Sequence, residues 1–193
     1  MEMPVLETER LVIRPFRLDD LDDIYRILDI ELADVDMGSE KALTRSARAA
    51  WLEWSVRNYR QLSALFQPPY GDRAVALKAD ATLIGAVGFV PSLGPFGQLP
   101  SLGGKPSRHT AEFGLYYAIS PAFQRQGYAS EAVQAMVDYA FTALNLERIV
   151  ATTQYDNAAS KGVMRKLRMR IEGNPYPDPP WFQVAGILEN RRA

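Results

Sequence analysis

The chain has 193 residues, with 22 Lys and Arg against 23 Asp and Glu, one His and no Cys, and 47% of it is hydrophobic. This is an ordinary globular composition at a length that suits one core, so a single domain over 1–193 is expected. Without Cys, and with His109 alone, disulfide scaffolds, zinc fingers, Cys nucleophiles and multi-histidine metal sites are excluded, and no G-x-S-x-G elbow supplies a triad serine. A net charge of −1 argues against a surface that tracks nucleic acid. Met1-Glu2-Met3-Pro4 does not read as a signal peptide, and no apolar run approaches the roughly 20 residues of a membrane span. The expectation is a cytoplasmic protein with no metal, membrane or nucleic-acid partner.

Leu11, Ile13 and Phe16 sit among arginines in a short extended stretch that Pro15 places at a strand end. Asp19, Asp20, Asp22 and Asp23 then open a segment with Leu21, Ile24, Tyr25 and Leu28 at helical spacing, and their carboxylates suit the capping of free N–H groups. A second helix is expected over 42–66. Its Trp51 and Trp54, three apart, read as core, with the wall of an acceptor site as the other option. Pro68-Pro69-Tyr70-Gly71-Asp72 closes this part. Residues 74–78 and 82–90 read as a hairpin in which Gly85 and Gly88 mark a bulge or a close approach.

Residues 91–108 are rich in Gly, Pro and Ser without periodicity and read as a long loop, functional or disordered. Gly103-Gly104-Lys105 is not a P-loop, because Leu99 and Pro106 stand where the first glycine and the magnesium-binding hydroxyl belong. The second half predicts a strand over 110–120, a helix over 128–144, a strand over 147–153 and a helix over 158–167. Final strands follow at Ile171 and 182–188, joined by the proline-rich 174–180. The 128–144 helix carries Ala129, Ala132, Val133, Met136, Ala140 and Leu144 on one stripe, and its alanines let it lie close against a sheet.

Chemistry concentrates where strand 110–120 gives way to that helix. Gln124, Arg125, Gln126 and Gly127 form a short loop, and Tyr128, Ala129 and Ser130 open the helix. Free N–H groups and the positive dipole end there make an anion site. Gly127 lets a phosphate approach the backbone, and Arg125 adds a charged donor. A plain turn is the alternative reading of these residues alone.

Gln124-Arg125-Gln126-Gly127-Tyr128-Ala129 resembles the Q/R-x-x-G-x-G/A acetyl-CoA loop of the GNAT N-acetyltransferase superfamily. Asn157-Ala158-Ala159-Ser160, with Lys166-Leu167-Arg168-Met169 after it, resembles that superfamily's N-x-x-S helix and its K-L-G-F/M turn. Leu6 to Phe16 is similar to the start of the branch that acetylates N-terminal alanines of ribosomal proteins. The three blocks occur in the right order and cover nearly the whole chain except 91–108. The resemblance implies an α/β fold with a mixed central sheet of about seven strands, flanking helices and two central parallel strands splayed to admit CoA. It also implies acetyl-CoA as cosubstrate, an amine as acceptor (a protein N-terminus or a small molecule), direct attack, and a monomer or homodimer.

The resemblance further implies that backbone groups near Tyr117, Ala118 and Ile119 hold the pantetheine arm and donate to the thioester oxygen. Glu112 is the candidate base, acting through water, with an exposed strand carboxylate as the other option. Many members place a tyrosine four residues beyond the N-x-x-S serine. Met164 stands there in this chain, so Ser160 is the candidate proton donor and Asn157 the candidate pantetheine contact, while both residues also suit a helix cap. Arg168 departs from the family's glycine. His109 reads as a surface residue, with a contact to the acceptor as the other option. Two further readings stay open: a CoA-binding sensor without turnover, and a phosphate- or RNA-binding module.

Overall fold

The computed structural model describes residues 3–35, 42–106 and 108–190. Its strands are β1 (Leu6–Glu7), β2 (Leu11–Arg14), β3 (Gly71–Leu77), β4 (Leu83–Gly94), β5 (Thr110–Ile119), β6 (Arg148–Thr153), β7 (Arg170–Gly173) and β8 (Val184–Glu189). The helices are α1 (Leu21–Tyr25), continued by a π-helical turn (Arg26–Glu31), α2 (Arg45–Ala64), α3 (Tyr128–Thr142) and α4 (Ala158–Lys166). The strands form one mixed sheet in the order β1-β2-β3-β4-β5-β6-β8-β7. β5 and β6 run parallel, which a chain achieves only through a crossover such as α3. Eight strands stand where about seven were expected, the two-residue β1 being the addition. The chain divides into two compact units, Met1–Phe89 with Tyr116–Met136, and Val90–Leu115 with Val137–Ala193. Among the described residues no helix is long and apolar enough to cross a membrane.

In the first unit, Phe16, Ile24, Ile27, Leu28 and Leu52 pack on Ala74, Ala86 and Ala118 of the sheet. Small strand residues leave room for the helices to lie close. The aspartates that open α1 behave differently from the expectation that they cap N–H groups. Asp20 accepts the Arg17 N–H at 2.7 Å, but it also pairs with both terminal nitrogens of Arg14, while Asp22 pairs with Arg45 and Asp23 with Arg26. Charge-assisted bonds to nearby arginines are stronger than bonds to neutral amides, so they draw the carboxylates away from the helix end.

α2 starts later than expected because Thr44 Oγ1 accepts the Ala47 N–H at 3.3 Å and so caps the helix. The tryptophan pair divides: Trp51 packs edge-on against Phe16 with ring centres 5.4 Å apart, whereas Trp54 is exposed. Gly85 is a close approach, since a Cβ there would lie 2.2 Å from the Ala118 carbonyl oxygen.

In the second unit, 91–108 is not the structureless loop its composition suggests. β4 runs on to Gly94, and two short 3-10 turns follow, Phe96–Gln98 and Pro100–Leu102. Phe96 and Leu99 are buried with Phe182 and Ile187, and Phe96 meets Phe182 edge-on at 5.2 Å. The buried Gln98 amide donates to the carbonyls of Pro106 and Asp178 and accepts from Asn174 Nδ2, tying 91–108 to 174–180. These are tertiary bonds, invisible to any local periodicity.

α4 ends as the sequence suggests a glycine should end it, but with Arg168 at φ 58°. Arg168 N–H reaches the Arg165 carbonyl and Met169 N–H reaches the Met164 carbonyl, each at 3.0 Å, the paired bonds of a Schellman ending. A left-handed conformation costs a side-chain-bearing residue about 1 kcal/mol. Arg168→Gly is therefore expected to raise Tm by about 2–4 °C for a chain of this size. Thermal unfolding followed by circular dichroism checks it, and a fall would show that the exposed Arg168 side chain makes a stabilising contact.

Candidate active site

The first unit brings together one contiguous part of the expected site. β5 ends through Tyr117, Ala118 and Ile119, a 3-10 turn follows at Pro121–Phe123, and Gln124, Arg125, Gln126 and Gly127 lead into α3. Gln124 Nε2 donates to the Ile119 carbonyl at 2.9 Å and Gln126 Nε2 to the Ala122 carbonyl at 3.1 Å, so both amide side chains fold the loop back on the strand end. Arg125 adopts φ 60° and Gly127 φ 89°. Only glycine takes such a conformation freely, so Arg125 is held at some cost. The first intrahelical bond of α3 runs from the Glu131 N–H to the Gly127 carbonyl. The N–H groups of Tyr128, Ala129 and Ser130 therefore have no acceptor within the helix. Arg125 is exposed, and among the described residues nothing pairs with its guanidinium. Amides at a helix N-terminus beside an unpaired arginine suit an anion of more than one charge.

Sequence reasoning missed what holds this loop. Glu131, in the first turn of α3, accepts Thr8 Oγ1 at 2.6 Å and the Arg10 backbone N–H at 3.0 Å on one oxygen, and Arg10 Nε at 2.7 Å on the other. Arg10 Nη2 lies 2.6 Å from that second oxygen. Burial raises the Glu131 pKa, but the bonds from Thr8 and Arg10 outweigh it, so the carboxyl lies below its ordinary value. Arg10 Nη1 also donates to the Gln126 carbonyl at 3.1 Å, and the guanidinium lies 4.3 Å from the centre of the Tyr128 ring. A Cβ at Gly127 would come within 3.3 Å of Arg10 Nη2. The signal for this brace was present only as two charged residues in separate blocks, 121 positions apart.

The second unit holds the remaining expected residues. Glu112 is buried, which removes the exposed-carboxylate option. Its Oε1 accepts from Thr110 Oγ1 at 2.8 Å and its Oε2 from Arg148 Nε at 2.7 Å. The pair joins β5 to β6 close to their registered residues, Gly114 opposite Val150. Asn157 caps α4, its Oδ1 accepting the Ser160 N–H at 2.9 Å. Met164 is fully buried, with its sulfur 3.0 Å from where a Gly186 Cβ would stand, so it serves the core in the place where many relatives carry a tyrosine. Tyr155 donates from its hydroxyl to the Asn174 carbonyl at 3.1 Å. His109 is exposed and borders a cavity of about 540 Å³ with Leu93, Gln98, Asp178 and Trp181.

The brace makes a prediction. Arg10→Ala removes the bond to Gln126 and leaves Glu131 with fewer donors. If the loop holds CoA as the sequence resemblance implies, the loss of a charged hydrogen bond is expected to weaken CoA binding about 10- to 100-fold. Glu131→Gln is expected to weaken it less, because the amide oxygen still accepts. Isothermal titration with CoA measures both, with circular dichroism to confirm folding.

Residues 10–170 match the acetyltransferase (GNAT) domain family. The uncharacterized N-acetyltransferase YnaD of Bacillus subtilis is 31% identical over 172 residues, covering 87% of this chain and 84% of that protein. The crystal structure of a GNAT-family acetyltransferase from Bacillus anthracis superposes with a TM-score of 0.71 at 22% identity, covering 97% of this chain and 99% of the other. That of the ribosomal-protein-S5-alanine acetyltransferase from Vibrio fischeri superposes with a TM-score of 0.66 at 19% identity over 98% of each chain. The anion loop at the head of α3, the parallel β5–β6 pair and the family match across 10–170 converge on one assignment: the chain belongs to the GNAT family and is an acetyl-CoA-dependent acetyltransferase.

Proposed function

We propose that the protein transfers the acetyl group of acetyl-CoA to a primary amine by direct attack, with no covalent enzyme intermediate. The observation that carries this reading is the loop from Gln124 to Gly127, folded back on Ile119 by Gln124 and braced by Arg10, with the amides of Tyr128, Ala129 and Ser130 beyond it. The CoA pyrophosphate is assigned to these amides and to Arg125. The pantetheine arm is assigned to the backbone of Tyr117, Ala118 and Ile119, where one N–H would face the oxygen of the tetrahedral transition state. The amine nitrogen bonds to the thioester carbon, the C–S bond breaks, the nitrogen loses a proton and the thiolate gains one.

An amine must be neutral to attack. A free α-amine has a pKa near 7.7 and a lysine near 10.4, so the lysine costs roughly 3.7 kcal/mol more to deprotonate at neutral pH. Likeness in fold to an alanine N-terminal acetyltransferase and this smaller cost both favour an α-amine, with small-molecule amines as the other acceptors of the same reaction. Glu112 is assigned the amine proton through a water. Thr110 and Arg148 take one acceptor position on each of its oxygens, and a carboxylate offers about four in all, so a water still has a place to bind. Ser160 is assigned the proton for the thiolate, and Asn157 the orientation of the pantetheine, alongside its cap.

Thiol release from acetyl-CoA, measured with an alanine-initiated peptide, spermidine, an aminoglycoside and free amino acids, tests the reading. Amine-dependent release with at least one of them is expected; release independent of every amine would leave a thioesterase, and none at all a CoA-binding protein. Positioned proton transfer contributes about 100-fold or more. Glu112→Gln is therefore expected to lower kcat by about that factor. Ser160→Ala is expected to lower kcat by about 100-fold on the same ground, with KM for acetyl-CoA little changed. An unchanged rate in either variant would free that residue of its role.

A further inference from the structure

A second group of charged residues lies in the first unit, on the face of the sheet that α2 covers. Asp72 of β3 stands opposite Gly88 of β4, and its Oδ1 lies 2.5 Å from where a Gly88 Cβ would be, so the carboxylate rests over bare backbone. The start of β3 is pinned. Asn58 Nδ2 donates to the Tyr70 carbonyl at 2.7 Å and the Tyr59 hydroxyl to the Gly71 carbonyl at 3.0 Å. Asp72 itself is half-buried, and its carboxylate makes no hydrogen bond among the described residues.

The groups that act on Asp72 come from each neighbouring element. α2 contributes Arg48, whose guanidinium is already held by Asp29 of the π-helical turn, at 2.6 and 2.9 Å, and stacks 4.6 Å from the centre of the Trp51 ring. β5 contributes Tyr116, whose pKa is pushed up by burial and by the Asp72 charge, so its hydroxyl keeps its proton. β4 contributes only Gly88. With Arg48 matched to Asp29, the group carries one negative charge in excess, and that charge is on Asp72. Burial raises the Asp72 carboxyl from its ordinary 3.8 to about 6, with Arg48 opposing the rise. A desolvated carboxylate without a donor is costly, and a cation is what relieves it.

We propose that Asp72, over the bare backbone of Gly88, is the subsite that pairs with an ammonium group of the acceptor, which makes the acceptor a cationic amine. This rests on the acetyl-transfer reading, and Tyr116 directly precedes the backbone to which that reading assigns the thioester arm. Asp72 acts as an ion-pair partner and not as the final base, a role the acetyl-transfer reading gives to Glu112.

Binding tests the subsite independently of turnover. Thermal unfolding is followed with CoA present and either spermidine or an alanine-initiated tetrapeptide amide as probe. At least one probe is expected to raise Tm of the wild type at pH 7.5, to lose this effect below about pH 6 where Asp72 is protonated, and to leave Asp72→Asn unmoved. In kinetics, Asp72→Asn is expected to raise the acceptor KM about 10- to 100-fold while the acetyl-CoA KM stays put. A structural role is separated by linkage. A carboxyl whose pKa rises on folding loses stability as pH climbs from 3.8 to about 6, and the full cost stands above that window. Asp72→Asn without probe should therefore be more stable than the wild type at pH 7.5 and equal to it near pH 3.5. A less stable Asp72→Asn protein at pH 7.5, equal probe binding by both proteins, no Tm effect of either probe on the wild type, or the same Asp72-dependent effect from potassium ion alone would each overturn the proposal. Failure of acetyl transfer with Asp72-dependent amine binding intact would overturn the catalytic reading and leave the subsite standing.

Discussion

The loop at the head of α3 depends on one carboxylate. A segment whose last amides have no acceptor within the helix, and which holds Arg125 in a left-handed conformation, has only the bonds of Gln124 and Gln126 to nearby carbonyls to hold it from within. Glu131 supplies the missing restraint. It sits in the first turn of the helix whose positive end the loop forms, where a negative charge is favourable, and it is fixed from outside by Thr8 and Arg10. Through Arg10 the restraint reaches back to the Gln126 carbonyl. The loop is thereby preorganised without its own amides being used up, which is what a site for an anion requires.

The two groups of expected residues, one in each unit, rest on similar logic with different partners. Arg10 and Glu131 are a partly exposed pair, with Arg10 the more open of the two, so solvent screening limits their worth and several bonds have to act together. Glu112 and Arg148 differ in that the carboxylate is almost fully enclosed. A buried carboxylate needs every donor it can find, and Thr110 supplies the second. The one registered pair of β5 and β6, Gly114 opposite Val150, lies two residues beyond Glu112 and Arg148 on their strands, so that ion pair carries an end of the parallel ladder that backbone pairing holds only lightly.

What could be read from the sequence was local. The buried stripe of α3, Ala132, Val133, Met136 and Ala140, follows from helical spacing alone, and the run from Gln124 to Ala129 carries its meaning in six consecutive residues. Arg168 was legible as a departure because the turn chemistry at a helix end is set by the residue in that place. The order in 91–108 was not legible, since it depends on Gln98 meeting Asn174, 76 positions away. The α1 aspartates were read by the nearest rule, helix capping, when Arg45, more than 20 residues on, was the stronger partner for Asp22. Arg10, Glu131 and Asp72 have no local signature at all; a charged residue on a strand or in a helix turn looks like a solvated one until its partners are placed.

Balanced composition also concealed something that the structure separates. A net charge of −1 suggests a surface without strong preferences, yet the first unit contains two local imbalances of opposite sign. At the loop, Arg10 is matched by Glu131 while Arg125 is left over, an excess positive charge beside helix amides. On the α2-covered face, Arg48 is matched by Asp29 while Asp72 is left over, an excess negative charge that helps keep the Tyr116 hydroxyl protonated. The Asp72 imbalance does not stabilise the fold, for a desolvated carboxylate without a partner is a cost that pairing or a neutral residue would remove, whereas the exposed Arg125 stays in water. In the proposed reading, the first is the complement of the anionic pyrophosphate and the second that of the acceptor's ammonium group. An exposed cation at the loop and a desolvated carboxylate on the α2-covered face, in a chain whose total charge is near zero, are the electrostatics that the proposed reading asks of a protein holding an anion and a cation at once.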